Sequence, residues 1–482
     1  LSLLSSTFPS LARTIDTVLY TAAHGGFAGQ AVPLGGGAAI ANLLCDEWSR
    51  SKPFDLKLLG PAILGPAAPS ARDIVSFNER RYAAFCESFR EASTREALKH
   101  DPARTAILVN DISEGPDFER LARTGFRIVT IYHVDVVAYI ASIYLRGWVR
   151  PETLTRWWER LRRGVPGRVA PTILRLIFEQ QRASLLWSER VIVPSSDMKS
   201  IMLRCYPETP PDRIEVLPWG CPPLPSSTEN EPKQSRDREG AVDTRYGLSA
   251  SVPDASGEPS LSHSSKAFQP PPSFETQGAG AAALRAEYGI EPGAHVLLCL
   301  SRISPEKGQD FLLKTLIEWE KSPSFPARPI WLFICGAAAF MNGQGYERRL
   351  KALAGRLKKV HVVFPGYVAG TRKLAFLSLA HIYLFPSSHE SYGLTLVEAL
   401  SCGLPAICRD HAGARQILTP DFGFIVSGSG PSARLAFRKA MEKVLLDDSL
   451  RNSMARSAST WASRRPFSHS AARLAALLAG AG

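Results

Sequence analysis

Residues 385–407 read FPSSHESYGLTLVEALSCGLPAI. The apolar residues IYLF at 382–385 lead into Pro386-Ser-Ser, so IYLFPSS reads as a short buried strand running into a loop. Gly393 lets the chain turn closely, and LTLVEALSCG then carries the residues of a short helix starting near Leu394 or Thr395. Two carboxylates, Glu390 and Glu398, stand in an E-x7-E spacing on either side of that turn. The backbone N–H groups of residues 393–396 are expected to be open donors at a positive helix end, a setting that suits a phosphate. A carboxylate has two oxygens that can accept from vicinal hydroxyls, so Glu390 before the turn and Glu398 within the helix could each grip a diol. Thr395-Leu-Val-Glu398 also reads as a capping box in which Glu398 folds back onto the helix start.

Upstream, LSRISPEKGQDFLL (300–313) places Arg302 and Lys307 between a buried strand, HVLLCLSRI, and a helix, KGQDFLLKTLIEWEK. Ligands of parallel sheets bind outside the strand C-termini, and two cations there could neutralise a diphosphate. An exposed basic loop is the other reading of the same residues. The alternation continues through PIWLFICG, GYERRLKALAGRLKK, HVVFPGYV, TRKLAFLSLA, PAICRD, GARQIL and FGFIV, and the large helix SARLAFRKAMEKVLLD closes that half. The N-terminal half alternates too. TVLYTAA is a strand, the glycine-rich loop HGGFAGQAVPLGGG follows, and AAIANLLCDEW is helical; FDLKLLGP, TAILVNDI, FRIVTIYHVD and ERVIVPSS add strands. Strands alternating with helices predict parallel sheets covered on both faces.

Length sets the scale: 482 residues suffice for two or three domains. With 45% hydrophobic and 21% charged residues, the composition excludes a mainly disordered chain, a collagen-like fibre and a small disulfide scaffold. Residues 222–284 break the pattern, being rich in Pro, Ser, Gly, Glu and Gln, and read as a flexible linker between two folded halves. The expected domains are therefore 1–221 and 285–465, with residues 466–482 forming a C-terminal helix able to cross back to the first domain. The eight cysteines form no C-x-x-C pair and have no histidine cluster beside them, so neither a disulfide framework nor a structural zinc site is expected. No apolar run reaches the length of a membrane span, and the first residues lack a basic region and a cleavage site, which predicts a cytoplasmic protein.

The net charge of +12 favours anionic partners. Its densest patch is RGWVRPETLTRWWERLRRGVPGR (146–168), where seven Arg accompany three Trp. Trp148, Trp157 and Trp158 with Arg150, Arg156, Arg160, Arg162 and Arg163 could lie on an anionic membrane surface, which would place the protein peripherally at its inner face. The alternative is an exposed basic helix whose tryptophans pack on their own domain. No nucleic-acid reader module is recognisable.

SRISPEKG and HESYGLTLVEALSCGLPAI, together with FICG, FPGYV, PLGGGAAIANLL, VIVPSSDM and VLPWG, resemble the retaining nucleotide-sugar glycosyltransferases of family 4. The resemblance covers the chain apart from the insertion and is strongest in the C-terminal half. It implies an α/β protein of GT-B architecture, with two Rossmann-like domains facing across a cleft. It implies a metal-independent, retaining hexosyltransferase-like enzyme of the kind used in polysaccharide biosynthesis, with a nucleotide-diphosphate sugar as donor substrate and no cofactor. The acceptor would be a glycan, a lipid-linked sugar or a small molecule. Arg302 and Lys307 would bind the donor diphosphate, Glu390 the donor sugar, and Glu398 the ribose. Gly393 and Leu394 would complete the phosphate site, with Gly336 and Val368 lining the donor pocket. Gly36 and Gly37 would approach the phosphate from the N-terminal half. His133 matches the family's strand-end histidine near the reacting sugar, so His133, Glu390, Arg302 and Lys307 form the implied catalytic set. His24, in the glycine loop, ranks below it. Two other functions share the architecture: nucleotide-sugar epimerisation, and non-catalytic binding of nucleotide sugars by a scaffold protein.

Overall fold

The computed structural model describes residues 14–24, 35–66, 68–70, 73–74, 77–141, 148–164, 172–224, 274–338 and 343–480. Two parallel six-stranded sheets organise these residues. The first contains β1 (Thr17–Thr21), β2 (Asp55–Leu59), β3 (Thr105–Val109), β4 (Arg127–Ile131), β5 (Arg190–Val193) and β6 (Ile214–Val216), in the order β2-β1-β3-β4-β5-β6. The second contains β7 (His295–Leu300), β8 (Ile330–Cys335), β9 (Val360–Gly366), β10 (Ile382–Phe385), β11 (Ala406–Arg409) and β12 (Gly423–Val426), in the order β12-β11-β10-β7-β8-β9. Strand order therefore reverses between β1 and β3 in one sheet and between β7 and β10 in the other. At such reversals the flanking connections diverge to opposite faces and leave a crevice at the strand C-termini.

The central strands read as uninterrupted apolar runs because helices cover both faces. Every residue of β3, β7, β8 and β10 is buried. Local chemistry sets the helix ends. In the helix Phe118–Thr124, the Asp117 side chain accepts from Arg120 N–H, and Gly125 at φ 99° ends it in the left-handed conformation.

The halves also interlock. The helix Phe467–Ala479 packs on the first sheet: Trp48 Nε1 donates to Ala471 O at 3.2 Å, and Arg473 pairs with Glu215 at 2.9 Å. At its start, Phe467 N–H donates to Cys221 O at 2.9 Å. One boundary differs from the sequence reading. The helix Phe274–Tyr288 begins inside the stretch 222–284, and the Arg372 pair with Glu287 ties it to the helix Gly370–Leu379. Residues 225–273 of that stretch lie outside the described residues. All eight cysteines are free thiols, six of them buried. No helix among the described residues is long and apolar enough to cross a membrane.

Candidate active site

The loops after β7 and β10 meet at the reversal of the second sheet, and there Lys307 Nζ donates to Glu390 Oε1 at 2.6 Å. Both side chains are nearly enclosed, at 11% and 16% exposure. Burial pushes the Glu390 carboxyl up, but the Lys307 charge outweighs it and holds the group below its usual range. Arg302 stands at the same strand end, 4.0 Å from Glu306, which is itself buried and accepts from Ser304 Oγ at 2.7 Å. A cation pair and a carboxylate thus line one crevice.

Glu398 lies in the helix Leu394–Ser401, where Lys373 Nζ donates to Glu398 Oε1 at 2.7 Å. This pairing replaces the capping box: the cap residue is Gly393, with no side-chain cap bond, and Thr395 Oγ1 takes the Tyr383 hydroxyl at 2.7 Å instead. Lys373 is 25 residues away, on another helix, and its charge draws the carboxylate out from the helix start. Gly393 has φ 114°, and a Cβ there would meet the Phe385 ring at 3.0 Å, so both conformation and space require glycine. The open-amide expectation for residues 393–396 needs correction, because Leu396 N–H already donates to Gly393 O at 3.0 Å. Gly336 crosses the end of β7 so closely that a Cβ would lie 1.9 Å from Ser301 O, and Val368 is buried beside the same sheet edge. Two histidines flank Glu390. Burial holds His411 neutral, at about 4, and lowers His389. His411 Nδ1 accepts from Ala414 N–H at 3.0 Å, while its Nε2 is buried with no partner.

The N-terminal sheet presents its own reversal to this crevice. The Tyr139 ring meets the His389 ring edge-on at 5.7 Å, Tyr392 donates to Trp219 O, and Asp197 pairs with Arg415 at 2.6 Å. The C-terminal edges of the two sheets therefore face each other. His133 follows β4, stacks toward Trp219 at 6.5 Å, and lies against the helix Gly36–Ser51. A Cβ on Gly37 would stand 2.9 Å from His133 Cδ2, so Gly37 permits this approach; around Gly36 there is open space.

Beside His133 lies a polar cluster that the sequence reading did not assemble. His24 Nδ1 is 3.8 Å from both Asp111 and Glu114, Tyr82 donates to Glu114 Oε1 at 2.5 Å, and Ala23 N–H donates to Asp111 Oδ2 at 2.8 Å. Burial alone would lower His24, but the Asp111 hydrogen bond and the two carboxylate charges raise it to about 9. Burial alone would raise Asp111, yet His24 brings it down to about 2. The signal was available: TAILV is the buried strand, so Asn110-Asp111 stands at a parallel strand's C-terminus, where ligands and the groups that hold them collect.

Residues 281–461 match the family described as Glycosyl transferases group 1. That match lies within the C-terminal half of the chain. The GDP-mannose-dependent monoacylated alpha-(1-6)-phosphatidylinositol monomannoside mannosyltransferase of Corynebacterium glutamicum is 31% identical over 155 residues, 30% of this chain and 38% of its own length. The D-inositol 3-phosphate glycosyltransferase of Streptosporangium roseum is 29% identical over 211 residues, 42% of this chain and 47% of its own length. The chain spans less than half the length of these curated relatives. Among solved structures, sucrose-phosphate synthase from Thermosynechococcus elongatus superposes with a TM-score of 0.61 at 14% identity, covering 96% of this chain and 98% of its own. Anabaena HepE in complex with UDP-glucose superposes with a TM-score of 0.58 at 16% identity, covering 96% and 99%. The fold is thus the two-domain GT-B architecture.

The Arg/Trp-rich segment divides. In the helix Pro151–Gly164, Trp158 stacks on Phe178 at 4.9 Å, whereas Trp157 and Leu161, one turn apart, are 54% and 46% exposed. Trp148 is 88% exposed. Residues 146–147 and 165–168 lie outside the described residues.

Proposed function

We propose that the chain is a retaining glycosyltransferase that moves a sugar from a nucleotide-diphosphate donor to a hydroxyl of a glycan, lipid-linked sugar or small-molecule acceptor. The observation that carries this reading is the Lys307–Glu390 pair at the reversal of the second sheet, with Arg302 beside it and Glu398 one helix further on. Breaking a sugar–phosphate bond builds negative charge on the departing diphosphate. Arg302, Lys307 and the helix start at Gly393–Leu394 lower that barrier by electrostatic stabilisation, with no metal ion called for. When the donor enters, Glu390 exchanges part of its bond to Lys307 for sugar hydroxyls, and Glu398 holds the ribose. Val368 and Gly336 shape the pocket wall. Retention rests on the family resemblance: the acceptor attacks from the face the diphosphate leaves, and the leaving phosphate takes the acceptor proton. GDP-mannose, on which the Corynebacterium relative depends, and UDP-glucose, held in complex by Anabaena HepE, make those two series the first to test.

The exposed ridge of Trp148, Trp157 and Leu161, with Arg150, Arg156 and Arg160, suits an anionic bilayer. It follows in sequence from the strand end that bears His133, so a bilayer docked there could present a lipid-linked acceptor to the cleft. The test of the main reading is incubation with UDP- and GDP-sugars and a panel of neutral sugar and lipid acceptors. Nucleoside diphosphate release is measured, and the anomeric configuration of the product is read by NMR. Acceptor-dependent release with an α-linked product from an α-donor supports it. Interconversion of donor sugars without transfer would point to an epimerase, and binding without either reaction to a scaffold.

A further inference from the structure

We propose that Asn110 and Asp111 are positioning residues that fix His133 as an imidazole protonated on Nε2 with a bare lone pair on Nδ1, so that the group it meets in the cleft is a hydroxyl. His133 Nε2 lies 2.9 Å from Asn110 Oδ1, and the same oxygen accepts from the Tyr20 hydroxyl at 2.7 Å. Asn110 Nδ2 donates to Asp111 Oδ1 at 3.2 Å. Reversing the amide would set its oxygen against the carboxylate, so Asp111 decides which way Asn110 faces. An amide oxygen only accepts, and the proton shared with His133 therefore sits on Nε2. A neutral imidazole carries one proton, which leaves Nδ1 as an acceptor.

The surroundings keep the ring neutral and still. Burial pushes His133 down to about 4 against the attraction of Asp111. Asp111 in turn stays ionised through His24, and His24 is braced by Glu114 and Tyr82. Residues 14–24, 35–49 and 105–119, which supply this sheet edge, contain no Lys or Arg. Gly37 packs below the ring and Trp219 beside it. Among the described residues nothing partners Nδ1. A lone pair there accepts from a hydroxyl and repels phosphate or carbonyl oxygens. The two halves thus divide their labour: cations of the C-terminal half take the diphosphate, and His133 takes a sugar or acceptor hydroxyl. That division rests on the glycosyl-transfer reading; the tautomer does not.

The test labels the histidines of the whole chain with 15N and records long-range proton–nitrogen correlations at neutral pH, with His133 assigned by its loss in His133→Gln. The expected spectrum has a pyridine-type Nδ1 and a pyrrole-type Nε2. A proton on Nδ1, or a charged ring at neutral pH, overturns the proposal. In Asn110→Asp a carboxylate replaces the amide oxygen, and the His133 pKa should rise by about one unit or more. Asp111→Asn should release the amide and mix the tautomers. Should both variants fold, by near-UV circular dichroism, and leave the tautomer and pKa unchanged, the positioning role is refuted. Where transfer is measurable, Asp111→Asn should lower kcat about twofold or more with little change in donor KM, because part of the population then presents a protonated Nδ1 to the hydroxyl. Absence of any nucleotide-sugar binding would instead sink the glycosyl-transfer reading while the spectrum still decides the tautomer.

Discussion

Lys307→Ala removes the ammonium that donates to Glu390 Oε1 at 2.6 Å. The Glu390 side chain is 16% exposed, so its charge is left largely buried. Breaking a buried pair from one side costs about 3–5 kcal/mol, which for a domain of this size lowers its Tm by roughly 6–20 °C. The cost depends on pH in a defined direction. In the native protein Glu390 titrates below its unfolded value, so its contribution is present above that value and is lost as pH falls through the folded pKa. In Lys307→Ala burial is no longer opposed by the lysine, the carboxyl is pushed above its unfolded value, and the penalty grows as pH rises. The gap between wild type and variant should therefore be widest at neutral pH and should close as pH drops below about 5. Glu390→Gln in the same chain removes the buried charge, so the double variant should regain much of the loss. Urea unfolding followed by tryptophan fluorescence at neutral and acidic pH gives all four corners of the cycle. A cost that is equal at both pH values, or a coupling below about 0.5 kcal/mol, refutes the reasoning.

Other outcomes follow from the same geometry. Gly37→Ala places a methyl 2.9 Å from His133 Cδ2 and should cost about 1–3 kcal/mol of stability while displacing the ring, read by urea midpoint and by the His133 correlations. His24→Gln should destabilise most between about pH 4 and 6.5, where the native histidine is charged and paired, and the difference should fade as pH rises through about 9. Trp157→Ala should leave stability within about 0.5 kcal/mol and weaken sedimentation with phosphatidylglycerol vesicles, whereas Trp158→Ala, which removes the stack on Phe178, should lower the urea midpoint.

The sheets were legible because their strands are continuous apolar runs punctuated by glycine: IYLF, HVLLCL and IWLFIC name themselves. The loops after β7 and β10 were legible for the same reason, since parallel strands send their ligand-facing loops to one edge. What the sequence hid were long-range partners. Nothing near Glu398 announces Lys373, and a local capping box is the natural reading until the helix Gly370–Leu379 is placed beside it. Asn110 and Asp111 looked like the tail of a strand because TAILV runs into them without a break. Trp157 and Trp158 are neighbours in sequence but point about 100° apart on a helix, and only the position of Phe178 tells which one is covered. The helix Phe274–Tyr288 starts in Gly- and Ala-rich sequence without apolar periodicity, so the packing of Gly370–Leu379 against it carried the information.

The central claim is a nucleotide-sugar site built on Arg302, Lys307, Glu390 and Glu398. Calorimetric titration of the whole chain with UDP, GDP and ADP and their common sugar conjugates, repeated on Glu398→Ala, tests it most directly. The account predicts that one nucleotide series binds and that Glu398→Ala loses that binding while keeping the fold. Absence of binding by every nucleotide sugar, or binding that Glu398→Ala leaves untouched, would contradict it.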